Sequence, residues 1–437
     1  MMKGTKAVAG MNIKRLVFGI CVAFVLLCAF VGVSVASAKT IYVPDDYAKI
    51  QLAVNAASAG DTIIVRPGTY NENVYVYKSL EIRSYSQNPS DTIVKAFYHY
   101  KVFYVTADNV YISGFTVTGA TGDYRAGIYL YNSNHCKIEN INASNNYYGI
   151  YLDHSSNNTI VNNTVSSNNW YGILLNHSSN NVITNNIVSN NGGDGIELWH
   201  SSSNNVIANN IVSNNLNGIC LLWDSSNNII ANNTASNNYD GIVLDLSNNN
   251  IIANNNISLN SRDGIWLDLS NNSTIANNNI SSNNEDGICL LYSSNNTIAN
   301  NINLDGIYLY NSSNNIIYFN NFISNIFQVY SFDSTNIWNS TEPITYTYNG
   351  KQHTNYLGNY WSDYAGYDAN GDGIGDTPYS IDGDKDYYPL MERFENYFRG
   401  VEEEYNPKLS VPDIAPLQES GYVGTTFQFV FNVTNKG

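Results

Sequence analysis

A chain of 437 residues, 43% of them hydrophobic, is long enough to bury a large core, and its 36 acidic against 20 basic residues give a formal net charge of −16. That balance argues against nucleic acid and against anionic membrane surfaces as partners. Five cysteines in such a length exclude a disulfide-stapled scaffold.

In chain order, residues 1–38 read as a targeting segment. Lys3, Lys6, Lys14 and Arg15 precede an uncharged apolar run over 16–35, and Ala36-Ser37-Ala38 follows as an A-x-A site cut before Lys39. The apolar run is also long enough to span a bilayer if it stays uncut, which would be the only membrane attachment. This segment holds four of the basic residues and no acidic ones, so the remainder carries −20. Cys136, Cys220 and Cys289 remain. The last two share a repeat position three coils apart, roughly 14 Å at ~4.8 Å per coil, too far for a disulfide.

From Ile41 the sequence opens with a segment ending in Pro67-Gly68-Thr69-Tyr70. Ile50, Val54 and Ala57 lie at helical spacing, predicting a helix over 47–57 with Asp45 and Asp46 as caps. Such a helix would cover the open end of the first coil and shield its strand edges.

Residues 127–317 repeat a Gly-Ile pair at Gly127, Gly149, Gly172, Gly195, Gly218, Gly241, Gly264, Gly287 and Gly306, with steps of 22 or 23 residues and a last step of 19. A fixed period of this size marks a solenoid, and apolar alternation without a 3.6 period marks short strands. The fold expected is all-β, a right-handed parallel β-helix over 39–331. Three rows would stack inside: Ile128 to Ile307, Leu130 to Leu309, and Ile138 to Ile317. Asn-Asn corners such as Asn162/Asn163, Asn185/Asn186, Asn209/Asn210 and Asn232/Asn233 suit left-handed backbone and can pair along the axis.

The outward positions of the Gly-Ile strand and its flanks carry rings beside carboxylates. Tyr151, Trp170, Tyr171, Trp199, Tyr239, Asp263, Trp266, Asp268 and Tyr308 form the set expected to bind glycan, since pyranose faces pack on rings and hydroxyls bond to carboxylates. The plainer reading is that Tyr and Trp coat an exposed sheet because they favour strands. Asp240, Asp263, Asp286 and Asp305 recur at one position and read as architectural; stacked in that way they would repel unless cations sit between them. Five residues after successive glycines come His154, His177 and His200. Rings stacked in register do not converge on one ion, so zinc or copper is not expected there. Glu197, beside Asp194 and Trp199, is the carboxylate to choose if catalysis is demanded.

After a last coil over 320–331, residues 332–400 read as a C-terminal cap. Within it, Asp368, Asn370, Asp372, Ile374 (through its main-chain carbonyl) and Asp376 match the first part of a calcium loop with Gly373 at the turn. The bidentate Glu expected at the twelfth position is replaced by Tyr379. Asp382, Asp384 and Asp386 are then expected to complete the shell of a structural Ca2+. Residues 401–437 alternate like a strand or two of an immunoglobulin-type sandwich, too short for its seven strands.

The PGTY-containing opening, the Asn-rich Gly-Ile coils and the tail over 355–391 together resemble the NosD-type periplasmic copper-binding β-helix family. They are most similar to its archaeal secreted and surface-layer members. The resemblance covers about 41–391 and implies a right-handed β-helix related to carbohydrate-binding proteins and sugar hydrolases. None of that family's functional residues can be matched here, so copper delivery is not carried over. No Asn-Thr-Asp, Gly-His-Gly or Arg-Ile-Lys set of the polygalacturonase kind occurs, nor an Asp-Pro-His-Asp of the mannuronan epimerase kind. The expectation is a secreted or cell-surface protein acting as a scaffold or glycan-binding module, whose partners are polysaccharide, glycoprotein glycan or other surface proteins. A polysaccharide lyase or glycoside hydrolase is the alternative, and a copper-binding accessory protein is the third reading.

Overall fold

A computed structural model describes residues 38–398. The leader reading, save its last residue, and the reading of 401–437 fall outside them. Within the described residues the chain is a right-handed parallel β-helix of three sheets, with 13, 12 and 13 strands. No helix among them is long and apolar enough to cross a membrane.

The register follows the repeat. Ile150 pairs with Ile173 and Leu152 with Leu175, and Ile173 and Leu175 pair in turn with Ile196 and Leu198. All three expected inward rows are buried, Ile128 through Leu309 and Ile138 through Ile317. A fourth row, in which Ala143, Val165, Val188, Val212, Ala235, Ile257 and Ile280 are all buried, lines the third sheet. Its side chains vary too much in size to show as a sequence column. The repeated glycines are required by close approach: a Cβ on Gly172 would stand 2.5 Å from both the Gly195 carbonyl oxygen and a Val188 methyl.

Polar ladders bind one coil to the next. Asn162, Asn185, Asn209 and Asn232 take left-handed backbone with φ of 56–57°. Their neighbours Asn163, Asn186, Asn210 and Asn233 point inward and are buried. Each inward amide is used fully. The Asn210 Oδ1 accepts from the Asn186 N–H (2.9 Å) and Nδ2 (3.0 Å), while its own Nδ2 donates to the Ile183 carbonyl (2.9 Å) and the Asn233 Oδ1 (3.0 Å). Two further ladders run through Asn158–Asn181–Asn205 and Asn146–Asn168–Asn191.

Both ends are closed. The helix Ile50–Ala56 covers the first coil as expected, but Asp45 and Asp46 do not cap it. The Glu72 carboxylate of a later coil does, accepting from the Ile50 (2.9 Å) and Gln51 (3.0 Å) N–H groups. Asp46 instead accepts from the Tyr42 N–H, and Asp45 pairs with Arg66. At the other end the coil does not stop at 331. Tyr360–Trp361 adds a final strand to the third sheet, and Trp361 stacks between Phe322 and Tyr379 with both centroid separations 4.3 Å. Two antiparallel hairpins, Ile344–Tyr348 with Lys351–Asn355 and Tyr379–Ile381 with Asp384–Asp386, complete the cap.

A ladder position and its corner neighbour should therefore respond differently to truncation. Asn210→Ala leaves buried partners unpaired and is expected to cost about 2–4 kcal/mol. Asn209→Ala, exposed in a left-handed corner, is expected to cost about 1 kcal/mol. Equilibrium urea unfolding of both variants measures the difference, and equal losses would contradict the ladder.

Candidate ligand-binding face

The Gly-Ile strands form the second sheet, and alternate residues on them point outward. Between the buried Ile and Leu rows runs one outward column joined by the strand register. It begins with Tyr75, Tyr104, Tyr129 and Tyr151, continues through Leu174, Glu197, Cys220 and Val243, and ends with Trp266, Cys289, Tyr308 and Tyr330. In-register parallel pairing brings like rings together. The first four tyrosines stack with centroid separations of 5.3, 5.4 and 4.8 Å and interplanar angles of 15–23°. Tyr308 and Tyr330 stack at 4.9 Å.

The expected glycan set divides over this face. Tyr151 belongs to the tyrosine stack, and Tyr171 lies in the neighbouring column stacked on Tyr148 at 5.6 Å, with exposed Trp170 edge-on to it. Trp199 packs on His200 at 4.1 Å. Tyr239 and Trp266 flank the Arg262 guanidinium at 5.0 and 5.1 Å, and Tyr308 closes the far end. Asp268 is half-buried, and burial raises its carboxyl.

Asp263 does not face ligand: it is 3% exposed and its Oδ1 accepts the Asp286 N–H of the next coil (3.0 Å). Asp240 does the same for Asp263 (3.0 Å), and Asp194 for Asn217 (2.9 Å). At Asp194, Asp240 and Asp263 the recurring Asp is thus a coil-to-coil clamp, whereas Asp305 accepts from Ser282 and Asn283 instead. Arg262 relieves the repulsion between two of them, donating from Nε to Asp240 (2.8 Å) and lying 3.3 Å from Asp263. Burial still lifts Asp263 to about 7.

Glu197 is 1% exposed, one Oε has no hydrogen-bond partner, and Asp194 is buried beside it. Neither carboxylate is presented to a surface ligand. Burial first, then the Asp194 charge, lifts Glu197 to about 9, so the pair holds a proton at neutral pH. Cys136, Cys220 and Cys289 are buried and free.

His177 stacks on His200 at 5.2 Å and His154 lies 4.8 Å from His177 with its ring tilted by 35°, all three in left-handed corners. Their rings do not converge on a point. Among the described residues, no group of three or more His, Cys, Asp or Glu side chains is gathered closely enough to hold a metal ion. In the Asp-rich loop the carboxylates are turned to their own backbone: Asp368 accepts from Gly371 (2.7 Å) and Gly373 (2.7 Å), Asp372 from Ile374 (2.9 Å), and Asp376 from Ala369 (2.8 Å). Asn370 accepts from Asp372 (3.0 Å). Asp382, Asp384 and Asp386, expected to complete a calcium shell, point away into the end of the solenoid. They accept from Ser331 (3.0 Å), Asn336 (2.8 Å) and Asn359 (2.8 Å).

Sequence reasoning missed the start of this face. Tyr75, Tyr104 and Tyr129 carry the longest ring stack, yet the first two lie in coils without the Gly-Ile signature. Alternation in Val74-Tyr75-Val76 and Phe103-Tyr104-Val105 was the available signal.

The profile of the family described as periplasmic copper-binding protein (NosD) matches residues 54–233 and 213–366. A cell surface glycoprotein of Methanothermus fervidus is 35% identical over 112 residues, which is 25% of this chain and 18% of that protein's length. Among solved structures, the A-module of the Azotobacter vinelandii mannuronan C-5 epimerase AlgE6 superposes with a TM-score of 0.57 at 17% identity, covering 65% of this chain and 91% of that one. The Dettilon tailspike protein gives 0.57 at 18%, covering 70% and 72%. The Agl-KA catalytic domain gives 0.52 at 17%, covering 69% and 66%. At these identities the likeness is one of fold.

The buried acid pair has a pH signature. Glu197 keeps its proton in the folded state up to about 9 but loses it near its ordinary value when unfolded. Its stabilising contribution is therefore complete at acidic pH and is lost as pH rises toward 9. Glu197→Gln should flatten that decline. Melting temperatures between pH 5 and pH 9.5 would show it, and parallel curves for the two proteins would contradict the assignment.

Proposed function

The chain belongs to the periplasmic copper-binding protein (NosD) family, and we propose that this member is an exported or cell-surface solenoid whose ring-bearing face holds glycan without cleaving it. The observation that carries this reading is the Tyr75–Tyr104–Tyr129–Tyr151 stack, a row of rings with the axial spacing of the coils. Tyr75 is exposed, Tyr104 and Tyr151 are half-buried and Tyr129 is buried between them, so the strip offers ring edges and hydroxyls against which successive sugar rings can rest. The surface-glycoprotein relative and the polysaccharide-modifying epimerase of like fold agree with it. A lyase or hydrolase would need carboxylates open to the ligand, and the pair first favoured for that role, Asp194 and Glu197, is buried.

Sugar stacking needs the ring more than its polar tip. Tyr75→Ala and Trp266→Ala should each weaken retention on a polysaccharide affinity gel by about five- to tenfold, a loss on the order of 1–1.5 kcal/mol, while Tyr75→Phe and Trp266→Phe stay near the parent. Retention of no glycan from a broad panel would remove the binding reading, and new chain ends in the eluted polysaccharide would replace it with an enzyme.

We further propose that the loop carrying Asp368, Asn370, Asp372, Ile374 and Asp376 takes a structural Ca2+, its side-chain oxygens turning from the loop amides to the ion. The hard-oxygen donor set, alternating through one turn around Gly371 and Gly373, favours that ion over softer metals. Adding EDTA should lower the melting temperature of the parent but not of Asp372→Ala. An unchanged parent would end the proposal.

A further inference from the structure

Two cations stand unpaired at the beginning of the ring-bearing face. Lys101 precedes the strand Phe103–Val105, and the Val102 N–H donates to the Ala126 carbonyl, which sets Lys101 in the outward column that later carries Tyr148, Tyr171 and Asp194. Where that column holds aspartates further along, here it holds an ammonium. Lys101 is 8% exposed, and its Nζ lies 3.8 Å from the Tyr129 ring centroid and 4.0 Å from that of Tyr104. Among the described residues it has neither an ion pair nor a hydrogen-bond acceptor. The Arg125 guanidinium, 4.2 Å from the Tyr100 ring centroid, also has no ion pair among them.

The acidic group that acts on Lys101 is already committed. Asp153 accepts from the Tyr129 hydroxyl (2.8 Å) and from Asn176 (3.1 Å), and it contacts the His154 Nδ1 (2.8 Å). On a lysine this buried, an ammonium held by π faces alone is expensive unless an anion completes it. Burial and the Arg125 charge lower Lys101 to about 8, the signature of a cation lacking its counter-charge. In a chain of net charge −16, two such cations beside each other are not a generic surface feature.

We propose that Lys101 and Arg125 form a subsite for the carboxylate of an acidic sugar, a uronate residue whose ring lies against the Tyr75–Tyr104–Tyr129 stack. This names the ligand class for the glycan-binding reading and rests on it. The aromatic strip supplies the sugar face, the guanidinium fork and the ammonium supply charge-assisted donors, and exposed Tyr98 and Tyr124 belong to the bonded pair of loops that lead into Lys101 and Arg125.

The test is calorimetric titration of the full chain with a short oligogalacturonate, its carboxyl-reduced neutral counterpart, and a sulfated galactan. The acid form should bind about tenfold or more tighter than the neutral form, as expected for gaining charge-assisted hydrogen bonds, and the preference should shrink with salt. Lys101→Met and Arg125→Gln should each reduce that preference about tenfold and leave the neutral affinity within about twofold. Arg125 is only half-buried, so Arg125→Gln remains informative if Lys101→Met destabilises the coil, which a thermal melt would reveal. Equal affinity for acid and neutral forms, unchanged preference in Arg125→Gln, or sulfated galactan binding as tightly as the uronate would overturn the carboxylate assignment. Binding of none of the three would overturn the glycan reading with it.

Discussion

The constraint on which this solenoid depends is the satisfaction of buried amides along its axis. A coil of about 23 residues must turn three corners, and each inward corner amide would be a desolvated polar group costing on the order of 1–3 kcal/mol if left alone. Stacking asparagines solves the problem at every coil but the last, because each Oδ1 accepts from the coil before, while Nδ2 donates to the next Oδ1, as in the ladder through Asn186 and Asn210, or to a main-chain carbonyl, as at Asn158 and Asn228. The last member has donors and no acceptor. An aspartate ends each of the three ladders: Asp386 beyond Asn359, Asp305 beyond Asn283, and Asp384 beyond Asn336, where it takes the main-chain N–H and leaves the Asn336 Nδ2 without a partner. A carboxylate accepts only, so it is the group that terminates a run of donors. Four donor bonds oppose the burial that lifts Asp386 to about 7.

This explains what the acidic tail residues do. Read locally, Asp382, Asp384 and Asp386 follow an Asp/Gly-rich loop and look like more of the same ligand set. In space they belong to the solenoid's end, where Asp384 also receives the Trp338 indole N–H (3.2 Å) and Asp386 that of Trp361 (2.9 Å). The aromatic plug and the polar termini are therefore one assembly. The short step of 19 residues between Gly287 and Gly306 marks the place where one ladder stops early, with the Asp305 carboxylate accepting from Ser282 and Asn283 together.

Much of the fold was legible because a strict period writes every buried row as a column: Ile150, Ile173 and Ile196 announce their own contact. The fourth inward row was hidden because Ala143, Val165 and Ile257 fill one position with different volumes. The cap of the first helix was hidden because Glu72 reaches it from a later coil, whereas Asp45 and Asp46 merely stand beside it in sequence. The ring face was legible where the repeat holds, at Tyr151, Trp199 and Trp266. It was not legible where the coils are irregular, at Tyr75, Tyr104 and Lys101, because no signature there sets the register. Burial was the other unseen quantity: Asp263 and Glu197 share a face with the rings, yet the packing of their neighbours removes them from solvent.

The ladders also have a direction. The corner N–H of one coil donates to the side-chain oxygen of the next, toward the C-terminal end, so the junction between two regular coils presents the same pair of polar surfaces. A unit copied in tandem would meet matching partners above and below, and neither the Glu72-capped helix nor the aspartate terminators would need to change. Lengthening by duplication is then nearly neutral in the interior, whereas fusing two such solenoids end to end would trap the Asp384 and Asp386 carboxylates against a helix. A lineage of these proteins is free to vary in length from within while its two ends stay as they are.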